Sequence, residues 1–432
     1  MKILLSAVGK RDPFAVDPES GEKSLGPLLT VAQEIKPDIL IMFPTRRQLN
    51  EKLSFTEDRC EEIEEQLKSM MPKTAIRTIA LDLPDPTDHH EILIQLRSRI
   101  EEIKKYYQQS QTDYYINISS STPQIQASFL ILVSSQKINA DVYQAIDPRY
   151  VEAGQERVRK IDVQFIEEEN QITRAKIFYD KYYFASAADE LTNLALATRK
   201  AEREKMAEIY ADLFYAYHLV DLYQHERALG IINKVVPAIE RLRRKQLLSW
   251  LKKQQHCLTE IVALGQKEGY ANLCDLYHNT CRRLAMGQYV DCLSRFKRIY
   301  EGCYYYIARE ELGIARPENK LEDQRQLDWV AGIINRKQGR MYIYDIAKIY
   351  KAKKGRNKLS DRLEQSLNSL AKQRNYTINN HGMQSVNHED ARRAVDLLKE
   401  LLQQVFPGRE IDDYPFSGRN IEEVGKIVFQ DI

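Results

Sequence analysis

Three residues late in the chain, Arg374, Asn375 and His381, have the types that cleavage of a phosphodiester asks for. A histidine titrating near neutrality can move a proton on or off a ribose oxygen, and a guanidinium can hold the phosphate and the negative charge developing on it. Asn375 could orient either group. With RNA as substrate the 2′-hydroxyl is the nucleophile, so this chemistry asks for no metal. Arg374 and His381 are seven positions apart, and if a helix runs through both they lie two turns apart on one face. A surface arginine and a helix-terminal histidine also fall at such a spacing by chance, so the rest of the chain has to decide. His388 is a second candidate for proton transfer, but Asn387-His388-Glu389-Asp390 reads as the start of a helix over 389–405.

The elements that must position such groups begin with residues 1 to about 150, where short apolar runs alternate with amphipathic ones. The pattern predicts strands at 3–8, 39–43, 76–81, 114–118 and 142–146, with helices near 25–35, 57–70, 88–107 and 123–136. Such alternation implies an α/β, Rossmann-like unit with a mainly parallel, doubly wound sheet, whose ligands sit beyond the carboxyl ends of the strands. Two strand ends are chemically distinctive. After the first come Gly9-Lys10-Arg11-Asp12-Pro13, where a glycine permits a tight turn and two cations with a carboxylate would face a ligand. After the fourth come Asn117-Ile118-Ser119-Ser120-Ser121-Thr122-Pro123-Gln124, hydroxyls and amides at a helix start, where exposed amide hydrogens suit phosphate. Capping is the plain alternative. Ser121 with Gln124 fits a capping box, and Thr122 before Pro123 fits an N-cap followed by proline at the first helical position. Capping accounts for one or two of these residues, not for the whole run. No Gly-x-Gly-x-x-Gly or Walker sequence is present, which argues against a dinucleotide coenzyme or a nucleoside triphosphatase.

The 432 residues are enough for two or three domains, and no apolar run is long enough to cross a bilayer. The first nine residues read as a strand rather than a signal peptide, and a cytoplasmic protein is expected. Among the six cysteines there is no Cys-x-x-Cys pair, and Cys274, Cys281, Cys292 and Cys303 follow at helical spacing, as small core residues would. His256 beside Cys257 lacks a third ligand, so neither a metal nor another cofactor is expected. The net charge of +2 hides a basic stretch from Arg336 to Arg374, including Lys351-Ala352-Lys353-Lys354-Gly355-Arg356-Asn357-Lys358. Such a stretch is either a solvated loop or a patch for a polyanion, and its place before Arg374 favours RNA.

From about 171 to 265 the pattern is helical throughout. Tyr182, Tyr183, Tyr210, Tyr215 and Tyr217 could stack on bases, but their helical spacing without clustered cations favours packing. From about 266 onward a long helix is expected over 289–312, then a polar stretch at 315–326, further helices to about 405, and a looser tail marked by Pro407 and Pro415.

At this point the segments 1–13 and 116–125 resemble the two signature segments of the CARF sensor domain in type III-A CRISPR accessory ribonucleases, and Arg374, Asn375 and His381 are similar to the HEPN signature of the same family. The resemblance implies a CARF domain at 1–170, an all-α connector at 171–265 and an all-α HEPN ribonuclease domain at 266–432. It also implies a homodimer whose composite site cleaves single-stranded RNA. The activator would be cyclic oligoadenylate, hexa- or tetra-adenylate, made by the type III CRISPR complex. That ring would contact Gly9, Lys10, Arg11 and Asp12 from one strand end and Asn117, Ser119, Ser120, Ser121, Thr122 and Gln124 from the other. His381 would transfer the proton and Arg374 would hold the phosphate, leaving 2′,3′-cyclic phosphate and 5′-hydroxyl ends. Some relatives also cut the ring in the sensor, a step that would here depend on positioning by Thr122, Asn117 and Gln124. The competing class is a ligand-responsive nucleic-acid-binding regulator without catalysis, although no helix-turn-helix with a basic recognition helix is recognisable in the last third.

Overall fold

The run Lys2–Ala7 is mostly apolar and buried from Ile3 onward, as a central strand of a parallel sheet covered on both faces must be. The structure is a computed structural model and describes residues 1–16, 21, 23–46, 55–85, 87–108, 111–151, 155–314, 324–334, 341–377 and 382–432. Packing divides the chain into two units, Met1–Asn170 and Gln171–Ile432.

The first unit runs β1 (Lys2–Ala7), β2 (Phe14–Val16), β3 (Lys23–Leu25), α1 (Pro27–Ile35), β4 (Ile39–Phe43), α2 (Cys60–Met70), β5 (Ala75–Thr78), α3 (His89–Tyr106), β6 (Asp113–Asn117), α4 (Pro123–Ser134), β7 (Ala140–Ala145) and β8 (Val158–Ile161). Its main sheet has the order β5-β4-β1-β6-β7-β8, parallel except for β8, which lies antiparallel to β7. Alternation along the strands supplies both faces. Leu4, Leu40 and Met42 pack with α1 and α2, while Ile3, Leu5, Ile41 and Phe43 pack with α3 and α4. The five expected strands are present, the one expected at 76–81 ending at Thr78. The β2–β3 hairpin and β8 escape the sequence pattern. Three-residue strands are too short to show a period, and β8 is an edge whose middle residues, Arg159 and Lys160, face solvent.

The second unit is all-α among its described residues: α5 (Gln164–Asp180, which begins before the division), α6 (Phe184–Ala197), α7 (Ala201–Asp221), α8 (His225–Arg241), α9 (Lys245–Leu264), α10 (Tyr270–Ala285), α11 (Tyr289–Leu312), α12 (Gln324–Ile334), α13 (Ile343–Lys354), α14 (Asp361–Asn375), α15 (His388–Val405) and α16 (Gly418–Asp431). The fold class is therefore the expected one, an α/β unit followed by helices. One apolar core runs from Ala175 to Val428, and position 265 falls in the turn between α9 and α10. Tyr210 and Tyr217 are buried in that core, and the Tyr217 hydroxyl donates to Gln254 at 2.9 Å. Tyr182 packs at its edge, whereas Tyr183 and Tyr215 stay exposed. Cys257, Cys274, Cys292 and Cys303 are buried, and burial pushes the thiols of Cys257 and Cys292 up to about 12. His256 is exposed beside Glu260. Among the described residues no group of three or more His, Cys, Asp and Glu is placed to hold a metal, and no helix is long and apolar enough to cross a membrane.

The tail corrects the sequence expectation. α15 does end just before Pro407, but Ile411, Tyr414 and Phe416 are buried beyond it and anchor the chain, and α16 then packs into the core. The Tyr179 hydroxyl donates to the Ile421 carbonyl at 2.6 Å, and a Cβ at Gly425 would lie 2.9 Å from Tyr179 Cδ1. Gly425→Val should therefore cost about 1–3 kcal/mol through overpacking, read as a lower urea midpoint at unchanged slope. His278 offers a second check. Its ring stacks on Tyr414 with centroids 5.2 Å apart, Nε2 lies 2.7 Å from the Ile411 carbonyl oxygen, and burial lowers its pKa to about 4. The unfolded chain, titrating near 6.5, binds more protons between those values. The stability that depends on the neutral ring is thus fully present above about pH 6.5 and is lost as pH falls to about 4, by about 3 kcal/mol in all. The excess stability of wild type over His278→Gln should shrink by that amount between those two pH values, measured by urea unfolding.

Candidate functional site

β1 pairs with both β4 and β6, so the strand order reverses at this strand and the carboxyl ends of β1 and β6 lie side by side, with Ser6 opposite Asn117. The two segments singled out in the sequence leave the sheet from these ends. They approach so closely that a Cβ at Gly9 would lie 2.9 Å from the Ser121 backbone nitrogen. Between them is a cleft of about 250 Å³. Gly9, Lys10, Arg11 and Asp12 line it from one side, and Ser119, Ser120, Ser121 and Thr122 from the other.

One of these positions, Asp12, differs from the sequence reading, and two expected ligand residues, Asn117 and Gln124, do not line the cleft. The Asp12 carboxylate turns inward. Its Oδ2 accepts from Gly9 N and its Oδ1 from Leu28 N, each at 2.9 Å. It thereby satisfies the start of α1, whose N-cap is Gly26 with no side chain to offer. Burial raises its pKa, opposed by those same hydrogen bonds. Asn117 is fully buried beneath the cleft. It donates to Ser6 Oγ at 2.9 Å and Ser120 Oγ at 3.1 Å and accepts from Ser119 N at 2.9 Å, which shapes the serine run from below. Gln124 does not line the cleft, and Thr122, not Ser121, caps α4, accepting from Ile125 N at 3.5 Å. Gln126 lines it instead, and its Nε2 donates to the Ser121 carbonyl at 3.1 Å.

Ser121 holds a φ of 112°, a conformation costly for a residue with a Cβ. Lys10 and Arg11 are exposed at the rim, and Arg11 reaches Asp147 at 3.0 Å. The sequence reading missed Thr45 and Thr56, whose hydroxyls meet at 3.2 Å on the cleft wall. Thr45 follows β4 and was open to the same carboxyl-end rule, whereas nothing local marks Thr56. Hydroxyls, a helix start and rim cations together suit a ligand with phosphates and polar edges. Asn117→Ala leaves Ser119 N and two hydroxyls short of a partner, and should lower the unfolding free energy of the first unit by about 1–3 kcal/mol in urea melts.

In the helical unit, Arg374 and Asn375 close α14. The helix stops there. Thr377 N and Oγ1 both donate to the Arg374 carbonyl, at 3.1 and 2.8 Å, and Gln384 N donates to the Tyr376 carbonyl at 2.9 Å as the chain returns. The premise of one helix through Arg374 and His381 is thus corrected: a β-branched threonine whose hydroxyl competes for the last-turn carbonyl ends the helix first. His381 lies outside the described residues. Arg374 is half-buried and Asn375 exposed. α14 is held on α11 by Tyr300, whose hydroxyl donates to Asn368 at 3.2 Å, and by Tyr304, which donates to Glu364. His388 is the first residue of α15, capped by Asn387, whose Oδ1 accepts from Asp390 N at 2.8 Å, so its helix-start role holds. Lys351, Lys353 and Lys354 form the last turn of α13, not a loop.

Three comparisons bear on the whole. A family model described as regulator of RNA terminal phosphate cyclase matches residues 37–179. The CRISPR system endoribonuclease Csm6′ of Streptococcus thermophilus is 25% identical over 150 residues. That match covers 35% of this chain and 35% of the relative, about a third of its length. In fold, the chain is similar to Enterococcus italicus Csm6 bound to cyclic hexa-2′-fluoro-hexa-dAMP, with a TM-score of 0.65 and 14% identity over 100% of each chain.

Proposed function

From a chain that resembles the CARF–HEPN accessory ribonucleases in sequence over part of its length and in fold over all of it, we propose a cyclic-oligoadenylate-sensing accessory protein of type III CRISPR defence. In this reading it is a homodimer in the cytoplasm that cleaves single-stranded RNA. The observation that carries the proposal is the meeting of the Gly9–Asp12 and Ser119–Thr122 segments in one cleft at the switch point of the sheet.

Lys10 and Arg11 at the rim and the start of α4 would take the phosphates of the ring, while the serine hydroxyls, Thr45 and Gln126 offer partners for its polar edges. Asp12 and Asn117 act one layer below, by holding the two segments in place. A ring of repeated nucleotides has internal symmetry, which matches a sensor on a dimer axis. To move a two-state dimer from about 1% to about 99% active the ring must prefer the active state by roughly 5.5 kcal/mol, within reach of several charge-assisted contacts made twice.

In the helical unit we assign 171–265 to a connector and 266–432 to the ribonuclease. Arg374 would hold the scissile phosphate, His381 would transfer the proton and Asn375 would orient them. The 2′-hydroxyl attacks its own phosphate, which gives a 2′,3′-cyclic phosphate and a 5′-hydroxyl without a metal.

The test is cleavage of a fluorescent single-stranded RNA in EDTA with cyclic tetra- or hexa-adenylate added separately. Cleavage is expected with one ring only, falling about 10²- to 10⁴-fold in His381→Ala. Recovery of 5′-phosphate ends would overturn the mechanism. In this reading the sensor has a second role in cutting its own ring, with Thr122 positioning the reacting 2′-oxygen; Thr122→Ala should then slow ring breakdown while RNA cleavage persists. A regulator without catalysis is the second reading, favoured by the description of the family model, and it would bind RNA in the same assay without cutting it.

A further inference from the structure

α13 carries Tyr344, Lys348 and Lys351 at i, i+4 and i+7, one stripe along the helix, and all three are exposed. Tyr344 is 65% exposed, and Lys348 Nζ lies 4.5 Å from the centroid of its ring. Across Gly355, whose φ of 71° ends the helix, the basic surface continues from Lys354 to Arg356.

The neighbouring lysines are already in use. Lys353 Nζ donates to the Leu312 carbonyl at 3.0 Å and lies over the Trp329 ring, and Lys358 pairs with Glu311 at 2.6 Å. By contrast Lys348, Lys351, Lys354 and Arg356 are exposed and form no ion pair among the described residues. Favourable interaction with the helix dipole accounts for Lys351 and Lys354 in the last turn. It does not account for Lys348 in mid-helix, for Arg356 beyond the helix, or for an exposed aromatic ring among them. Unpaired cations interleaved with an aromatic face are what single-stranded nucleic acid uses, phosphates following the charges and bases stacking on the ring.

We propose that the Tyr344–Lys348–Lys351 stripe of α13, extended by Lys354 and Arg356, is a docking surface for single-stranded RNA separate from the cleavage site. The proposal rests on the ribonuclease reading above. α14 starts at Asp361, close after the stripe in sequence, and Arg374 lies about 20 Å further along its axis at 1.5 Å per residue. An RNA must therefore be several nucleotides long to engage both. Long RNAs gain affinity from the stripe, and very short ones gain none.

The experiment uses the full chain carrying His381→Ala, so that RNA is bound but not cut. Fluorescence anisotropy with a labelled oligouridylate follows binding between about 50 and 200 mM salt. Lys348→Ala with Lys351→Ala should weaken binding about tenfold or more at low salt and reduce the slope of log K against log salt by about 1.4, two phosphates at about 0.7 each. Tyr344→Ala should weaken binding about five- to hundredfold with the slope unchanged. Lys205→Ala with Lys234→Ala, which removes two exposed lysines of α7 and α8, should change neither. On the catalytically intact chain the stripe variants should raise KM for long RNA and leave kcat and the cleavage of a trinucleotide as they are. Unchanged affinity and slope in the stripe variants, or an equal loss in the Lys205/Lys234 control, would overturn the stripe while cleavage by wild type left the ribonuclease reading standing. No RNA binding by the parent chain together with no cleavage by wild type in the presence of either ring would overturn both.

Discussion

The cleft of the first unit depends on a close backbone approach, Gly9 against Ser121. Neither segment forms a pocket alone. They meet because β1 and β6 are hydrogen-bonded neighbours and because position 9 has no side chain to hold the serine run away. Two buried polar groups then fix the meeting place. Asp12 ties the first loop to the start of α1, and Asn117 ties the serine run to Ser6. Low dielectric strengthens such bonds and makes their loss expensive, so groups that touch no ligand set the shape that a ligand meets. The φ of 112° at Ser121 is the conformational counterpart, a local cost held in place by its surroundings.

A different buried polar interaction organises the helical unit. Arg282 is almost wholly inaccessible, paired with Asp221 at 2.7 Å and donating through Nη1 to the Phe416 carbonyl, also at 2.7 Å. A guanidinium so buried is tolerable only with its partners present. It therefore binds α7, α10 and the segment before α16 into one arrangement, and Tyr179 and Tyr210 add bonds to Ile421 and Asp431. The C-terminal helix is a structural member of the core, and this framework supports α11, on which α14 and Arg374 rest.

The proposed cleavage residue and the proposed docking surface lie at opposite ends of α14, with Arg374 in its last turn and Arg356 shortly before its first. Both depend on where helices stop. Gly355 ends α13 with a left-handed residue, and Thr377 ends α14 by turning its hydroxyl onto the Arg374 carbonyl. Each stop leaves these side chains at a helix terminus.

Much of this was legible in the residue pattern, for local reasons. The period of apolar residues marked the five principal strands and the span of α11, and Thr122-Pro123 and Asn387 announced their helices through capping, which involves only residues a few positions apart. The residue types of the two loop segments identified them before their geometry was known. The β2–β3 pair, β8, the burial of the tail and the stop of α14 were not legible, since each depends on partners distant in sequence, on strands too short to show a period, or on one hydroxyl outcompeting helix continuation. By itself the sequence determined which segments are candidates for chemistry and the type of most of the elements that carry them. Only the tertiary structure decided that β1 and β6 are neighbours, that Asp12 and Asn117 point inward rather than at a ligand, and that Thr45, Thr56 and Gln126 join the cleft. Local propensity acts over a few residues, whereas strand order and the direction of a buried polar side chain are set by the non-local pairing of groups that cannot remain unsatisfied away from water.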